Sequence, residues 1–599
     1  MNCGASALST ERGRVRSTAP GRYIAGNTFL FALVLLAAFV LRLWNLGTQS
    51  LWHDEAWSVF SAYHPLAWGQ LGTDPNAPPI FYVTLSLWQH LAGDGVWAMR
   101  FWSLLIGVIT VAITAHMTRR WYGERTALLA ATFVAFCPIL WVFSQEIRAY
   151  VAMPLLAIVL LALLDALVKP RPVIPRQWWA WVAVVELVAL YTHNLSVPIV
   201  AWLNIAALAV WALRREWRRL AWWGVLQAGI AVAYLPWLLT QRPTGTLLNT
   251  PPALRPQLIW DIWQSYFTGI KTLVGADTAL MTLTALMGIG GLVVIMSLIS
   301  RLLVAGSDPP SISTSDREWT RNRRMTTVLI LSQAVLIPLL SLIEILGAHI
   351  DFHPRYFIDS APATLMVIAI GLTGIPMRRI RPALAFAAVG LAIALMLRMM
   401  TVTYSSPLYQ HDDFRTIAEH YARLGPDDRV IIPYGWEPTL DYYGQKMGFK
   451  DKLIGIPLYS SGDQIRAGVV AALQQARNVE LLTWYQLPAD VRGAYACLLG
   501  SAGHLDGSLI VEGLKTDHYD SLSALSPVEY DHRPSDRLRM DALEYEPTAA
   551  NPWGRDGLCV LTRWKLWQQS SENLRLSAIL RNNQGWEIAK VDSDILNDR

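Results

Sequence analysis

Asp54 and Glu55 are adjacent acids, and two arginines, Arg148 and Arg355, stand far downstream in polar breaks between apolar runs. Adjacent side chains on a helix or extended segment point about 100° or more apart. One carboxylate can therefore face a cavity while the other is braced by a basic neighbour. A carboxylate at a cavity mouth can take a proton from a hydroxyl group. Arginine is a permanently charged fork suited to phosphate. A base opposite such a clamp, beside lipid, suggests attack on a group carried by a lipid phosphate, with the clamp stabilising the departing charge. Each feature has a plainer reading. The acids suit a helix N-terminus, the arginines suit interface anchors that snorkel, and His193 suits a structural hydrogen bond. The pairs Trp178-Trp179 and Trp222-Trp223 suit interface belts. Only their joint placement can decide, and that depends on the elements that carry them.

Those elements are mostly membrane helices. Of 599 residues, 53% are hydrophobic and 16% charged, against about 25% charged in an ordinary soluble domain. This excludes a disordered chain and argues against an all-soluble enzyme. A net charge of +5, scattered along the chain, excludes a nucleic-acid partner. Four cysteines cannot form a disulfide scaffold or a zinc cluster. A span needs about 20 apolar residues. The sequence predicts about eleven: Thr28–Leu46, Trp97–Met117, Thr126–Phe143, Ala149–Val168, Trp178–Tyr191, Leu195–Leu213, Leu220–Thr240, Thr278–Val304, Thr327–Leu346, Tyr356–Ile375 and Ala383–Met400. Pro79–Leu91 is apolar but too short to cross, and reads as an interfacial or re-entrant helix entered through Pro78-Pro79.

With the N-terminus (1–27) in the cytoplasm, the cytoplasmic segments hold 21 lysines and arginines and the short outer ones 5. That bias is the one expected of cytoplasmic loops. Arg12, Arg14, Arg16 and Arg22 precede the first span, but no small-residue cleavage site follows, so it reads as a retained anchor. Eleven crossings place 401–599 outside. There Asp412–Leu424 has helical spacing, and Arg429–Pro433, Val479–Trp484, Leu509–Glu512 and Cys559–Thr562 read as strands, which predicts a C-terminal extracytoplasmic α/β domain. Cys497 and Cys559 lie in it, and whether they pair stays open. Residues 305–325 read as a cytoplasmic loop.

This topology gathers the unusual polar residues on the outer side. The loop 47–96 contains Asp54, Glu55, Asp74 and Asp94 with no lysine or arginine. The other outer segments include Ser144–Arg148, Thr192-His193-Asn194 and Asp351–Tyr356. Ionisable groups near hydrocarbon are costly, so their convergence points to function.

The segments Leu41–Gly47 and Ser50–Ser58 (SLWHDEAWS) resemble the end of the first helix and first outer loop of GT-C superfamily glycosyltransferases. The family 39, protein O-mannosyltransferase-like branch is the nearest, with bacterial lipid A aminoarabinose transferases as relatives. Asn76–Tyr82 is similar to that family's Pro-Pro interfacial helix and Arg100–Gly107 to its second span. Ser144–Tyr150 resembles its Glu-x-Arg-x-Tyr element, Tyr191–His193 its Tyr-x-His element, and Arg355–Phe357 its late Arg-Tyr motif. The resemblance covers 28–400. It departs at Asn76-Ala77, where many members have histidine before Pro-Pro.

The resemblance implies a polyprenyl-phosphate sugar as donor, an inverting transfer on the outer face, and a lipid, glycan or protein acceptor. It implies Asp54 as general base with Glu55 in support. Arg355, Tyr356 and Arg148 would hold the donor phosphate, and His53, Glu146, His193 and His353 would line the cavity. Some members use a divalent metal ion and others do not, so a metal stays open. The expectation is a multi-pass inner-membrane glycosyltransferase with a GT-C transmembrane domain (28–400). A lipid-linked saccharide flippase is the chief rival and would show repeated halves. An envelope scaffold would not need the acidic and basic elements to face each other.

Overall fold

The computed structural model describes residues 20–65, 78–170, 174–240, 256–268, 314–347, 352–374, 380–405, 410–458, 460, 462–487, 489–490, 493–520, 522, 532–535, 538–548, 557–566, 575–581 and 587–594. The first apolar run forms α1 (Pro20–Leu43). The loop after it carries two short helices, α2 (His53–Tyr63) and α3 (Pro79–Ala92). Pro79 opens α3, where a missing N–H costs nothing. With 14 residues α3 is too short to cross a bilayer.

The expected span Thr126–Phe143 follows α4 (Val96–Tyr122) and is two helices, α5 (Glu124–Ala135) and α6 (Pro138–Phe143). The break falls at Cys137, which is extended at φ −77° and ψ 116°, the conformation that a following proline favours. Next come α7 (Ala152–Val168), α8 (Arg176–Leu190), α9 (Val197–Leu213), α10 (Trp217–Thr240), α11 (Pro256–Thr268), α12 (Thr314–Gly347), α13 (Ala361–Gly374) and α14 (Ile380–Ser405). Two of these depart from expectation. The helix α11 lies in a stretch read as outer loop, and α12 begins at Thr314, so much of the expected loop 305–325 is helical. The expected span Thr278–Val304 and residues Asp74, Asn76-Ala77 and Asp351 lie outside the described residues. Among the described residues seven helices are long and apolar enough to cross a membrane. The stretch Ala149–Val168 is the most central of the early ones, 78% buried, as a helix apolar on all sides must be.

The C-terminal region is α/β as predicted. The helix α15 (Phe414–Tyr421) starts at Asp413, whose carboxylate accepts the Thr416 N–H at 3.2 Å. Then follow β1 (Asp428–Ile432), α16 (Pro438–Met447), β2 (Leu453–Gly455), α17 (Gly462–Leu473), β3 (Asn478–Trp484), α18 (Ala494–Ala502), β4 (His504–Val511) and β5 (Leu514–Asp520). They form a five-stranded sheet in the order β2-β1-β3-β5-β4. The strand β1 runs parallel to β2 and β3, joined through helices as parallel pairs must be. The pairs β3–β5 and β4–β5 are antiparallel. Beyond them lie β6 (His532–Ser535), β7 (Leu538–Thr548), β8 (Gly557–Leu566), β9 (Arg575–Arg581) and β10 (Glu587–Asp594), paired as a three-stranded sheet and a hairpin. Cys497 is disulfide-bonded.

This domain sits directly on the loop that follows α1. Leu51, Val59, Phe81 and Leu85 share one apolar cluster with Phe414, Ile417, Leu440 and Tyr443. Arg415 donates to the carbonyls of Gly47 (3.1 Å), Thr48 (3.3 Å) and Gln49 (3.0 Å). The Leu51 N–H donates to the Tyr443 hydroxyl at 3.0 Å. Lys446 pairs with Asp94 at 2.7 Å.

Candidate active site

The first turn of α2 presents His53, Asp54 and Glu55 in three directions. Glu55 is fully buried and takes Arg100 as a fork, with Nε to Oε1 at 2.9 Å and Nη2 to Oε2 at 2.6 Å. Its Oε1 also accepts the Ile147 N–H at 2.9 Å. Arg100 in turn donates to the carbonyls of Leu46, Gln49 and Ser50 at 3.0–3.1 Å. Glu55 is thus the braced carboxylate of the pair. Both partners are buried, so Arg100→Ala should cost about 3–5 kcal/mol by stranding a charge. A thermal unfolding midpoint unchanged in the purified variant would refute this.

Asp54 faces the other way. Its Oδ2 lies 3.3 Å from Arg355 Nη1 and 3.7 Å from Arg148 Nη2. Arg148 also donates to the Asp54 carbonyl at 2.8 Å, which ties the guanidinium to the start of α2. Both guanidiniums lie over the ring of Tyr150, at 5.5 Å for Arg148 and 5.3 Å for Arg355. Arg355 Nη2 reaches the Tyr356 hydroxyl at 3.3 Å. Desolvation would raise the Asp54 carboxyl, but Arg148 and then Arg355 outweigh it and hold it below the usual carboxylate range.

Two histidines frame this pair in the same way. His193 Nδ1 accepts the Leu195 N–H at 3.0 Å, and His353 Nδ1 accepts the Arg355 N–H at 3.2 Å. Each starts a 3₁₀ turn, Asn194–Ser196 and Pro354–Ser360. An accepting Nδ1 puts the neutral ring's proton on Nε2. Desolvation, then the charges of Arg148 and Arg355, push His193 down to about 3, so it is neutral at physiological pH. Its ring packs against Tyr150 with centroids 4.6 Å apart.

Beside Arg355 opens a cavity of about 290 Å³, lined in part by Trp52, Glu146, His353, Tyr404, His411 and Gln486. Glu146, 5% exposed, lies 3.5 Å from His411 Nε2. The His411 ring stacks on Trp52 with centroids 4.4 Å apart and planes 6° from parallel. The cavity is therefore shared by the membrane helices, the loop after α1 and the C-terminal domain. His53 faces away from it toward Glu437, at 3.0 Å.

The structure brings Asp54, Arg148, Arg355, Tyr356, His193, His353 and Glu146 to one region. Sequence reasoning did not assign Arg100, Tyr150, His411 or Glu437. Arg100 carried a usable signal, a charge opening an apolar span. His411 and Glu437 carried none, since nothing local ties them to α2. Among the described residues no three His, Cys, Asp or Glu side chains converge as metal ligands. The central acid, Asp54, is bracketed by two cations. This donor set does not fit a divalent ion.

Residues 76–239 match the family model described as dolichyl-phosphate-mannose-protein mannosyltransferase. An uncharacterized protein of Aquifex aeolicus (strain VF5) is 33% identical over 109 residues, 17% of this chain and 22% of that protein's length. The fold is similar to ArnT from Cupriavidus metallidurans in its apo state, with a TM-score of 0.52 and 15% identity over 84% of this chain and 100% of that one. Against ArnT bound to undecaprenyl phosphate the TM-score is 0.50, again at 15% identity, over 85% and 100% of the two chains. The chain shares the fold of ArnT, and its residues 76–239 are similar to the mannosyltransferase family model, in line with the sequence resemblance.

Proposed function

We propose that this protein is an inverting membrane glycosyltransferase that moves a sugar from a polyprenyl-phosphate carrier to an acceptor hydroxyl on the extracytoplasmic face. The observation that carries the reading is Asp54 Oδ2 at 3.7 Å from Arg148 and 3.3 Å from Arg355, which lines a cavity among membrane helices. Arg355, Arg148 and Tyr356 would hold the donor phosphate. The Arg355 Nε is buried with no hydrogen-bond partner among the described residues, a donor that a phosphate oxygen would satisfy. Asp54 would take the proton from the acceptor hydroxyl. The oxygen would then attack the anomeric carbon from the face opposite the phosphate, and the C–O bond to phosphate would break with its electron pair leaving on the phosphate. The two guanidiniums stabilise that growing charge. A strongly ion-paired carboxylate is a weak base. A phosphate competing for both arginines raises its pKa, so donor binding strengthens the base it needs. That ArnT binds undecaprenyl phosphate supports this donor class.

The test is a transfer assay on purified protein with a panel of undecaprenyl-phosphate sugars (mannose, glucose, galactose and arabinose), read by product mass. Turnover of none of them, with water or any offered acceptor, overturns the reading. The orientation is part of the proposal. The cytoplasmic excess of lysine and arginine supports it, and so does the disulfide at Cys497, which persists in an oxidising compartment. Tyr485 and Ile510 are 55% and 65% exposed. Cysteine placed at either should react with an impermeant maleimide on intact cells, and labelling only after lysis would reverse the topology.

A further inference from the structure

We propose that Glu437, in the C-terminal domain, is a positioning residue that sets the catalytic helix α2 through one fixed tautomer of His53. The inference rests on the glycosyltransferase reading above. Glu437 is 1% exposed. Its Oε1 caps α16 by accepting the Thr439 N–H at 3.0 Å. The same carboxylate meets His53 Nδ1, at 3.2 Å from Oε1 and 3.0 Å from Oε2.

The state of the imidazole follows from its other neighbour. Trp57 Nε1 lies 3.0 Å from His53 Nε2, and an indole N–H can only donate. Nε2 is therefore the bare nitrogen, and the proton sits on Nδ1, directed at Glu437. A second proton on Nε2 would oppose two N–H groups, so the ring is held neutral, in one tautomer and one orientation. Trp57 lies one turn along α2 and packs on Trp436 with centroids 5.1 Å apart. The ring is thus clamped lengthwise to α2 and endwise to the C-terminal domain. A single buried carboxylate joins the N-terminal ends of α2 and α16. His53 is the first residue of α2 and Asp54 the second, so this junction sets where the Asp54 carboxylate stands against Arg355. A misplacement of about 1 Å in such a constellation costs about 100-fold in rate.

Full-length protein carrying Glu437→Ala should lose about 100-fold in kcat on the undecaprenyl-phosphate sugar that the wild type turns over, with KM for that donor within about twofold. Glu437→Gln keeps an oxygen acceptor and should stay within about tenfold of wild type. In a His53→Ala background Glu437→Ala should add little further loss, because the two act in series. Losses that multiply, or a Glu437→Ala enzyme with wild-type kcat, overturn the proposal. A purely structural cap on α16 would give multiplying losses. Solid-state 15N resonance on histidine-labelled protein, with His53→Ala identifying the signal, gives a second readout that needs no turnover. A protonated Nδ1 and bare Nε2 at neutral pH are expected, and a protonated Nε2 overturns the proposal even if Glu437→Ala does not fold. A wild type inactive on the whole panel refutes the glycosyltransferase reading instead, and the nitrogen signal still decides the tautomer.

Discussion

Asp54→Asn is expected to reduce transfer by about 10²–10⁴-fold, the range that a positioned general base contributes. The substitution keeps size and leaves an oxygen for Arg355, so insertion and unfolding temperature should match the wild type. What it removes is the proton acceptor. Near-normal turnover by the purified variant would exclude the general-base role. The pH profile carries the same chemistry. In the proposed mechanism the active form is the carboxylate, and Arg148 and Arg355 hold its pKa below the usual range. Activity of the free enzyme should therefore persist as pH falls through the ordinary carboxylate range and fail only below it. Removing one cation raises the Asp54 pKa, so an Arg148→Gln enzyme should lose activity at a higher pH than the wild type. An acid limb that does not move would mean that another group titrates.

Arg355→Ala should weaken undecaprenyl phosphate binding by about tenfold to a hundredfold, the worth of one charge-assisted contact. Arg355→Lys restores the charge but not the fork, and should fall between the two. A direct lipid-binding measurement that shows equal affinity for all three would remove the clamp. The two arginines share the ring of Tyr150 as a common floor, so loss of either also loosens the other.

The sequence carried the membrane helices well because their signal is composition over some twenty residues, which needs no tertiary context. It also carried the reversal at Pro78-Pro79, since proline acts locally. It failed where geometry or polarity overrode hydropathy. Cys137-Pro138 split a continuous apolar run, and the polar start of α12 at Thr314 has no apolar stripe to announce it. In the site, Asp54 and Arg355 were legible as types in polar breaks, while the division of labour between Asp54 and Glu55 came from the family resemblance and not from the residues themselves. It depends on which carboxylate meets Arg100, and helix packing alone decides that. His411 and Glu437 were invisible for a further reason. They reach the site by the docking of a separate domain, and no spacing in the chain encodes that contact.

The docking of Arg415 has a consequence for how the protein is made. The carbonyls of Gly47, Thr48 and Gln49 leave the ribosome early, yet the guanidinium that satisfies them lies 366–368 positions later. Until translation passes that point, the Gly47 and Thr48 carbonyls lack this donor and the Gln49 carbonyl has only Arg100. The loop that carries Asp54 therefore takes its final shape late, when the last third of the polypeptide closes over it.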